Sequence, residues 1–105
     1  MNNVEKRRSA KTLDEYMEAL APADQNRINF HVSVMSKIIE ARKAKGLSQE
    51  ELAEMVGMKQ PAIARLENMK VTPKLDTVFA VLDALDYEIK IMPKNDLHRA
   101  MAKTL

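Results

Sequence analysis

Residues 48–73, SQEELAEMVGMKQPAIARLENMKVTP, constrain the fold of this chain more than any other stretch. The spacing of Ser48 and Glu51 predicts a capping box, in which the hydroxyl and the carboxylate satisfy backbone N–H groups at a helix start. Gly57 tolerates a positive φ angle and predicts the end of that helix. Pro61 suits the first turn of the next helix, where its missing N–H costs nothing. The stretch therefore predicts two short helices joined by a tight turn, at about 48–56 and 59–68.

The second of these helices separates its side chains onto two faces. At about 100° per residue, one side carries the apolar Ala62, Ile63 and Leu66. The opposite side carries Gln60, Ala64, Arg65 and Asn68. Glutamine and asparagine can pair bidentately with adenine, and arginine with guanine, in the major groove, while a small residue lets the backbone approach. This pattern predicts a DNA-reading helix; the alternative is an amphipathic helix of an ordinary bundle, whose polar face is only solvated.

This stretch resembles the helix-turn-helix of the Cro/lambda-repressor-type DNA-binding family. The family pattern is roughly LSQ-x-x-LA-x-x-x-G, then a recognition helix ending I-x-x-x-E, then a proline before the next helix. The chain matches it at Leu47-Ser48-Gln49, Leu52-Ala53, Gly57, Ile63, Glu67 and Pro73. The resemblance covers residues 36–85 and implies an all-α, five-helix domain that binds double-stranded DNA.

The resemblance also implies roles for individual residues. Gln60 and Arg65 match base-reading positions, and Ala64 lies between them on the same face. Arg42 and Glu67 match a buried ion pair that ties the first helix of the domain to the recognition helix. The remaining DNA-facing residues are expected mainly to hold phosphates: Gln49, Lys59, Asn68 and Lys70.

Two residues depart from the family pattern. Met69 stands where the family usually has glycine, so either a positive φ there brings strain or the turn differs locally. Pro61 occupies a position where relatives often carry a polar base-reading side chain. The loss of that contact predicts fewer specifying contacts, or more reliance on DNA shape.

Further helices are predicted before the motif. Residues 1–11 are polar and basic and are expected to fray. Thr12 and Glu15 form a second capping pattern, which opens a short helix through Leu20. Asp24 is then expected to cap a long helix that runs to about Lys45.

A last helix and a strand are predicted after the motif. Thr72, as N-cap, and Pro73 predict a helix to about residue 85. Its expected core face is Leu75, Val78, Phe79, Leu82 and Leu85.

Residues 87–92 alternate with a period of two and predict a short β-strand with Tyr87, Ile89 and Ile91 on one side. A lone strand cannot persist, so it is expected to pair with a second copy or with another protein; the alternative is an extended tail on the helices. Residues 95–105 are expected to form a weak terminal helix.

The flanks of the motif look like those of HigA-type antitoxins of toxin–antitoxin pairs. Residues 1–30 form an N-terminal extension, 31–93 the DNA-binding domain with its strand, and 94–105 a C-terminal tail. The resemblance implies a homodimer that represses its own operon at a palindromic operator and neutralises a small ribonuclease toxin. Candidate toxin contacts are Leu13, Tyr16, Met17 and Leu20. Two alternatives stay open: a transcriptional regulator without a toxin partner, and a purely protein-binding module.

Composition excludes several other function classes. With no cysteine among 105 residues there is no disulfide or thiolate chemistry, as fits a reducing cytoplasm. His31 and His98 have no second ligand at metal-binding spacing, and no glycine-rich phosphate loop or paired nucleophile is evident. We therefore expect no enzyme activity, cofactor, metal or membrane span. The formal net charge is only +2, but that surplus lies in residues 31–70, as phosphate contact requires.

Overall fold

A computed structural model describes residues 2–95, without the side chain of Asn3. These residues form six α-helices: α1 (Asn3–Ser9), α2 (Leu13–Ala19), α3 (Pro22–Ala44), α4 (Gln49–Val56), α5 (Gln60–Glu67) and α6 (Leu75–Ala84). Helices α3 to α6 correspond to the predicted helices of the domain, and the described residues contain no β-strand. The all-α class is confirmed. The described part of the DNA-binding domain has four helices rather than the predicted five, the predicted strand is not formed, and α1 is a helix that was not predicted.

The predicted strand at residues 87–92 is wrong for this single chain. Residues 87–93 have no regular secondary structure. The N–H of Tyr87 donates to the carbonyl oxygen of Leu82 at 2.9 Å, which closes the end of α6. A period of two supplies only the side-chain alternation of a strand, and residues 2–95 offer no second strand to complete a ladder. The predicted terminal helix lies beyond residue 95, outside the described residues.

Three predictions near helix starts need correction. Residues 3–9 are helical rather than frayed, because the side-chain Oδ1 of Asn2 accepts from the N–H of Glu5 at 2.8 Å and caps α1. Helix α3 begins at Pro22, since proline is preorganised for a first helical position, and Asp24 lies inside the first turn. Helix α6 begins only at Leu75, with the preceding lysine as its N-cap.

The core joins α4, α5 and α6 to the second half of α3. Its buried members are Met35, Ile38, Ala41, Leu52, Ala53, Ile63, Leu66, Val81, Leu82 and Leu85. Two side chains predicted to face this core do not, because Leu75 is 77% exposed and Phe79 is 61% exposed. Leu82 and Leu85 are buried and Val78 packs against the core, as predicted, so the apolar stripe of α6 is wider than the side that the core covers.

An N-terminal arm, residues 2–30, extends away from this core. Helices α1 and α2 pack against each other, and Ala19 and Leu20 are buried there. Gln25 Nε2 donates to the Leu20 carbonyl oxygen at 2.8 Å and ties α2 to the start of α3. All buried residues of α3 lie from Met35 onward. The radius of gyration is 16.6 Å, whereas a compact chain of this length has about 13 Å.

Helices α3 to α6 end in the same way, with a left-handed residue just after the helix. Gly46 and Gly57 adopt φ of 69° and 71°, whereas Met69 and Asp86 adopt φ of 59° and 64°. At Met69, the next N–H donates to the Arg65 carbonyl oxygen at 2.9 Å, closing a Schellman-type turn. Met69 therefore adopts the positive φ angle of the family's glycine, although it carries a Cβ.

Replacing Met69 with glycine is expected to stabilise the fold. The left-handed conformation costs an ordinary residue about 1–2 kcal/mol, and glycine avoids this cost. Part of the gain is lost, because glycine has a larger conformational entropy in the unfolded state. We expect Met69→Gly to raise the free energy of unfolding by about 0.5–1 kcal/mol, measured by urea denaturation. The control is Asn68→Gly, because Asn68 has φ of −86° and no strain to release. A gain as large in the control would show that Met69 is not strained.

Candidate nucleic-acid interface

Helix α4 holds the first polar residue of the candidate interface at its N-terminus. The predicted capping box is present: Ser48 Oγ accepts from the Glu51 N–H at 3.0 Å, and Glu51 Oε1 accepts from the Ser48 N–H at 3.1 Å. Leu52 and Ala53 anchor the helix in the core. Gln49 is thereby fixed as the first residue of α4, with its side chain directed at the start of α5.

Helix α5 presents one polar side away from the core. Ile63 and Leu66 are buried, and the proline occupies the first turn, as predicted. Of the seven residues predicted to face DNA, four are exposed: Lys59, Arg65, Asn68 and Lys70. The other three are partly buried: Gln49, Gln60 and Ala64. All seven lie on α4, α5 or their immediate ends, so the structure brings them into one neighbourhood.

A chain of hydrogen bonds links this neighbourhood to α3. Gln60 Nε2 donates to Gln49 Oε1 at 2.8 Å, and Gln49 Nε2 donates to Glu67 Oε1 at 3.0 Å. Glu67 in turn accepts from Arg42, Nε to Oε2 at 2.7 Å and Nη2 to Oε1 at 3.0 Å. Arg42 Nη1 also donates to the Leu47 carbonyl oxygen at 2.8 Å. This network runs through α3, α4 and α5 and fixes the position of the Gln60 side chain.

The predicted pair of Arg42 and Glu67 is thus a bidentate ion pair between two buried residues, exposed by only 9% and 8%. Burial raises the pKa of the Glu67 carboxyl, but hydrogen bonds from Arg42 and Gln49 and the nearby positive charges outweigh it, so the net pKa lies below its usual value. The hydrogen bond to Glu67 raises the pKa of the Arg42 guanidinium, against its desolvation. Both groups are therefore charged at neutral pH.

Sequence reasoning missed the two glutamine hydrogen bonds. It treated Gln49 as a phosphate contact only, although its amide also supports Gln60. One N–H of the Gln49 amide remains for a phosphate. The only signal in the sequence was the arrangement of two glutamines at the starts of consecutive short helices, and this does not reveal their orientation.

Arg65 stands at the edge of a shallow cavity of about 190 Å³ between α5 and the loop that leads to α6. Met58, Val71 and Pro73 also line this space. An aliphatic stem along an apolar wall keeps a guanidinium extended toward solvent. The cavity is smaller than the ~300 Å³ at which ligand pockets begin. Its walls therefore support the Arg65 side chain rather than hold a ligand.

Within residues 2–95, no three His, Asp or Glu side chains lie close enough together to hold a metal ion. None of the helices in this range is long and apolar enough to cross a bilayer.

A capped short helix, a left-handed glycine turn and a second helix with amides and a guanidinium on its outer side define a helix-turn-helix. The model of the helix-turn-helix family matches residues 38–91, just over half of the chain. The chain therefore belongs to the helix-turn-helix family, in its Cro/C1-type branch. Members of this family are typically not enzymes.

Two curated relatives are regulators by name. An uncharacterized HTH-type transcriptional regulator of Haemophilus influenzae is 35% identical over 65 residues, 62% of this chain and 66% of that protein. An HTH-type transcriptional regulatory protein of Methanocaldococcus jannaschii is 32% identical over 78 residues, 72% of this chain. The chain thus spans just under two thirds of the first relative and about a quarter, 24%, of the second.

A solved structure matches more of the chain than the family model does. A chain of a toxin–antitoxin module from Streptococcus pneumoniae is 42% identical, with a TM-score of 0.61. The match covers 72% of this chain and 84% of that one. At this level of identity the similarity extends beyond the fold alone.

Proposed function

We propose that this chain is an antitoxin that also represses its own operon. The observation that carries the proposal is the 42% identity to a chain of a toxin–antitoxin module, over 84% of that chain. The α4–α5 geometry supports the repressor half, and the N-terminal arm supports the partner half. A palindromic operator would be read by a homodimer that sets two α5 helices about 34 Å apart.

In the DNA-binding part of this proposal, exposure and charge indicate which residues contact bases and which contact phosphates. Gln60 is held by Gln49 at the start of α5, and Arg65 extends from its middle, so both suit base edges. The exposed Lys59, Asn68 and Lys70 at the two ends of α5 suit phosphates, which fix orientation without carrying sequence information.

Arg65→Ala is expected to cost about 1–3 kcal/mol of operator binding and to relax specificity at one base pair. Arg65 is exposed, so the urea midpoint of the variant should match that of the wild type. The measurement is a binding titration on the promoter of the chain's own operon and on single-base variants of it. Equal loss on every sequence would show that Arg65 does not read a base.

Lys70→Ala is the matched control, because Lys70 is also exposed and lies five residues further along. As a phosphate contact it should weaken binding to all sequences alike and lower the salt slope of log K by about one. A loss confined to one sequence would contradict the phosphate role.

The toxin-binding half rests on the exposed apolar residues of the N-terminal arm. Leu13 is 71% exposed and Tyr16 is 38% exposed, one turn apart on α2. Three carboxylates of the same helix, Asp14, Glu15 and Glu18, are also exposed, and α2 carries no basic residue. This surface suits a basic partner, as an RNA-cleaving toxin would be. Of the remaining candidates, Met17 is partly buried, whereas Leu20 is buried and holds the arm together.

The experiment is co-purification with the product of the neighbouring gene. A stable complex, together with toxicity of that product when expressed alone, supports the proposal. Leu13→Glu should release the neighbour, while Met55→Glu should not, because Met55 is 53% exposed on α4, away from the arm. Retained binding by the Leu13 variant would remove α2 from the interface.

A stand-alone transcriptional regulator is the second candidate. The Haemophilus influenzae relative favours it, since that protein is described only as a regulator. It predicts salt-dependent binding to the chain's own promoter with no complex and no toxic neighbour. The third alternative, a purely protein-binding module, predicts no salt-dependent DNA binding at all.

A further inference from the structure

The outer side of α5 carries an apolar strip, formed by Pro61 and Ala64, between its polar side chains. Pro61 is exposed in the first turn of the helix, and Ala64, three residues further on, is partly buried. At about 100° per residue, both lie between Gln60 and Arg65 around the helix. Neither apolar side chain has a hydrogen-bond donor or acceptor. The middle of the DNA-facing side therefore cannot contact a base edge through hydrogen bonds from these two residues.

The core of the domain does not use this strip. Helix α5 is anchored by the buried Ile63 and Leu66, which face the other way. Preorganisation of a first helical turn explains a proline at this position, and Pro22 has that role at the start of α3. That structural role does not depend on which base faces the ring, so it can be separated from a role in recognition by measuring discrimination between bases.

The spacing of the polar contacts places the strip opposite one particular base pair. With a rise of about 1.5 Å per residue, Gln60 and Arg65 are about 7.5 Å apart along α5. This distance is about two base-pair steps of about 3.4 Å each. For a recognition helix that lies along the major groove, Pro61 and Ala64 then face the base pair between the two that Gln60 and Arg65 contact.

The chemistry of the strip selects among the bases that this pair could present. Thymine is the one base with a methyl group in the major groove, and small apolar side chains contact that methyl group. An amino group or ring nitrogen placed against the strip would lose its water without gaining a hydrogen bond. The strip therefore favours thymine over the other three bases.

We propose that Pro61 and Ala64 recognise the 5-methyl group of a thymine in the operator, located between the base pairs that Gln60 and Arg65 contact. Each half-site then contains an A·T pair at this position, with its thymine facing the strip. The inference names part of the DNA sequence that the chain selects, and it rests on the proposed function as a repressor.

The first experiment removes one methyl group at a time from the promoter of the chain's own operon. Each thymine is replaced singly by deoxyuridine, which keeps the base pairing and lacks only the 5-methyl group. The full-length wild type is titrated against every substituted promoter. One thymine in each half-site should respond, with binding roughly fourfold weaker, as expected for one buried methyl group.

The second experiment tests whether this thymine preference comes from the strip. In Pro61→Ala, the preference for thymine over deoxyuridine at the responsive position should fall from roughly fourfold to below about twofold. Any effect of the substitution on the helix itself weakens binding to both DNAs alike and cancels in this ratio. Pro22→Ala is the matched control, because Pro22 is also an exposed proline in a first helical turn, and it should keep the full preference. Circular dichroism checks the fold, and Ala64→Ser replaces Pro61→Ala if the latter does not fold.

The outcomes separate this inference from the proposed function. A thymine preference that is lost in Pro61→Ala but kept in Pro22→Ala establishes recognition of the methyl group by the strip. Tight promoter binding with no responsive thymine, an unchanged preference in Pro61→Ala, or an equal loss of preference in Pro22→Ala overturns the inference and leaves the repressor proposal intact. Specificity would then rest on hydrogen bonds and DNA shape. A wild type that does not bind the promoter at all overturns the repressor proposal itself, and the methyl contact with it.

Discussion

Glu67→Ala is expected to lower the free energy of unfolding by about 3–5 kcal/mol. The alanine leaves the Arg42 guanidinium buried, with only the Leu47 carbonyl oxygen as a hydrogen-bond acceptor. It also removes the acceptor of the Gln49 amide, and so releases the side chain that holds Gln60. Urea denaturation measures the first effect, and titration of promoter DNA under folding conditions measures the second.

An exposed pair provides the control for this substitution. Lys37 and Glu40 lie one turn apart at 3.5 Å, and both side chains are more than half exposed. Glu40→Ala should change stability by no more than about 0.5 kcal/mol, because solvent screens such pairs. A similar loss of stability in Glu67→Ala and Glu40→Ala would show that the buried Arg42–Glu67 pair contributes no more to stability than an exposed pair.

A double variant separates the stability of the pair from its role in positioning. Arg42→Met combined with Glu67→Leu replaces the buried charges by apolar groups of similar volume, and such replacements are often neutral or stabilising. We expect stability to recover while promoter binding stays weak, because leucine cannot accept from Gln49. Recovery of both would mean that Gln60 does not depend on the hydrogen-bond network.

The same ion pair predicts how stability depends on pH. Because the folded-state pKa of Glu67 lies below its unfolded value, the carboxylate contributes stability that is fully present above the unfolded pKa of about 4.3. This contribution is lost as the pH falls through the folded pKa. The urea midpoints of the wild type and Glu67→Gln should therefore differ most near neutral pH and converge in acid. A difference that grows in acid would reverse the sign of the shift.

The sequence predicted the motif well because its signals are local. The capping box at Ser48 and the left-handed turn at Gly57 follow from residue type and spacing, whereas the pairing of Arg42 with Glu67 was predicted only from the family resemblance. The exposure of Phe79 could not be predicted, since it belongs to the same apolar stripe as the buried Leu82 and Leu85.

Long-range geometry explains the other differences. A strand at residues 87–92 depends on a pairing partner, and alternation within one segment carries no information about one. The support of Gln60 by Gln49 depends on the angle between α4 and α5, which places two side chains eleven positions apart within 2.8 Å. Arg65 and Asn68 were placed on the outer face by helical periodicity, and the roles of the residues predicted to contact DNA and a toxin came from the resemblance; these roles stay predictions until the binding experiments are done.

Ile63→Ala is expected to cost about 2–5 kcal/mol of stability, and Ile63→Val about 0.5–1.5 kcal/mol. Ile63 is fully buried between α5 and the core, so the smaller side chains leave a graded cavity behind the recognition helix. Its effect should appear in the urea midpoint, whereas Arg65→Ala should appear only in DNA affinity. At temperatures well below the unfolding midpoint, the Ile63 variants should retain specificity for the same base pairs, because the outer side of α5 is unchanged. Altered base preference in Ile63→Val would instead mean that core packing sets the orientation of the helix in the groove. Recognition would then depend on the interior of this small domain as much as on its exposed side chains.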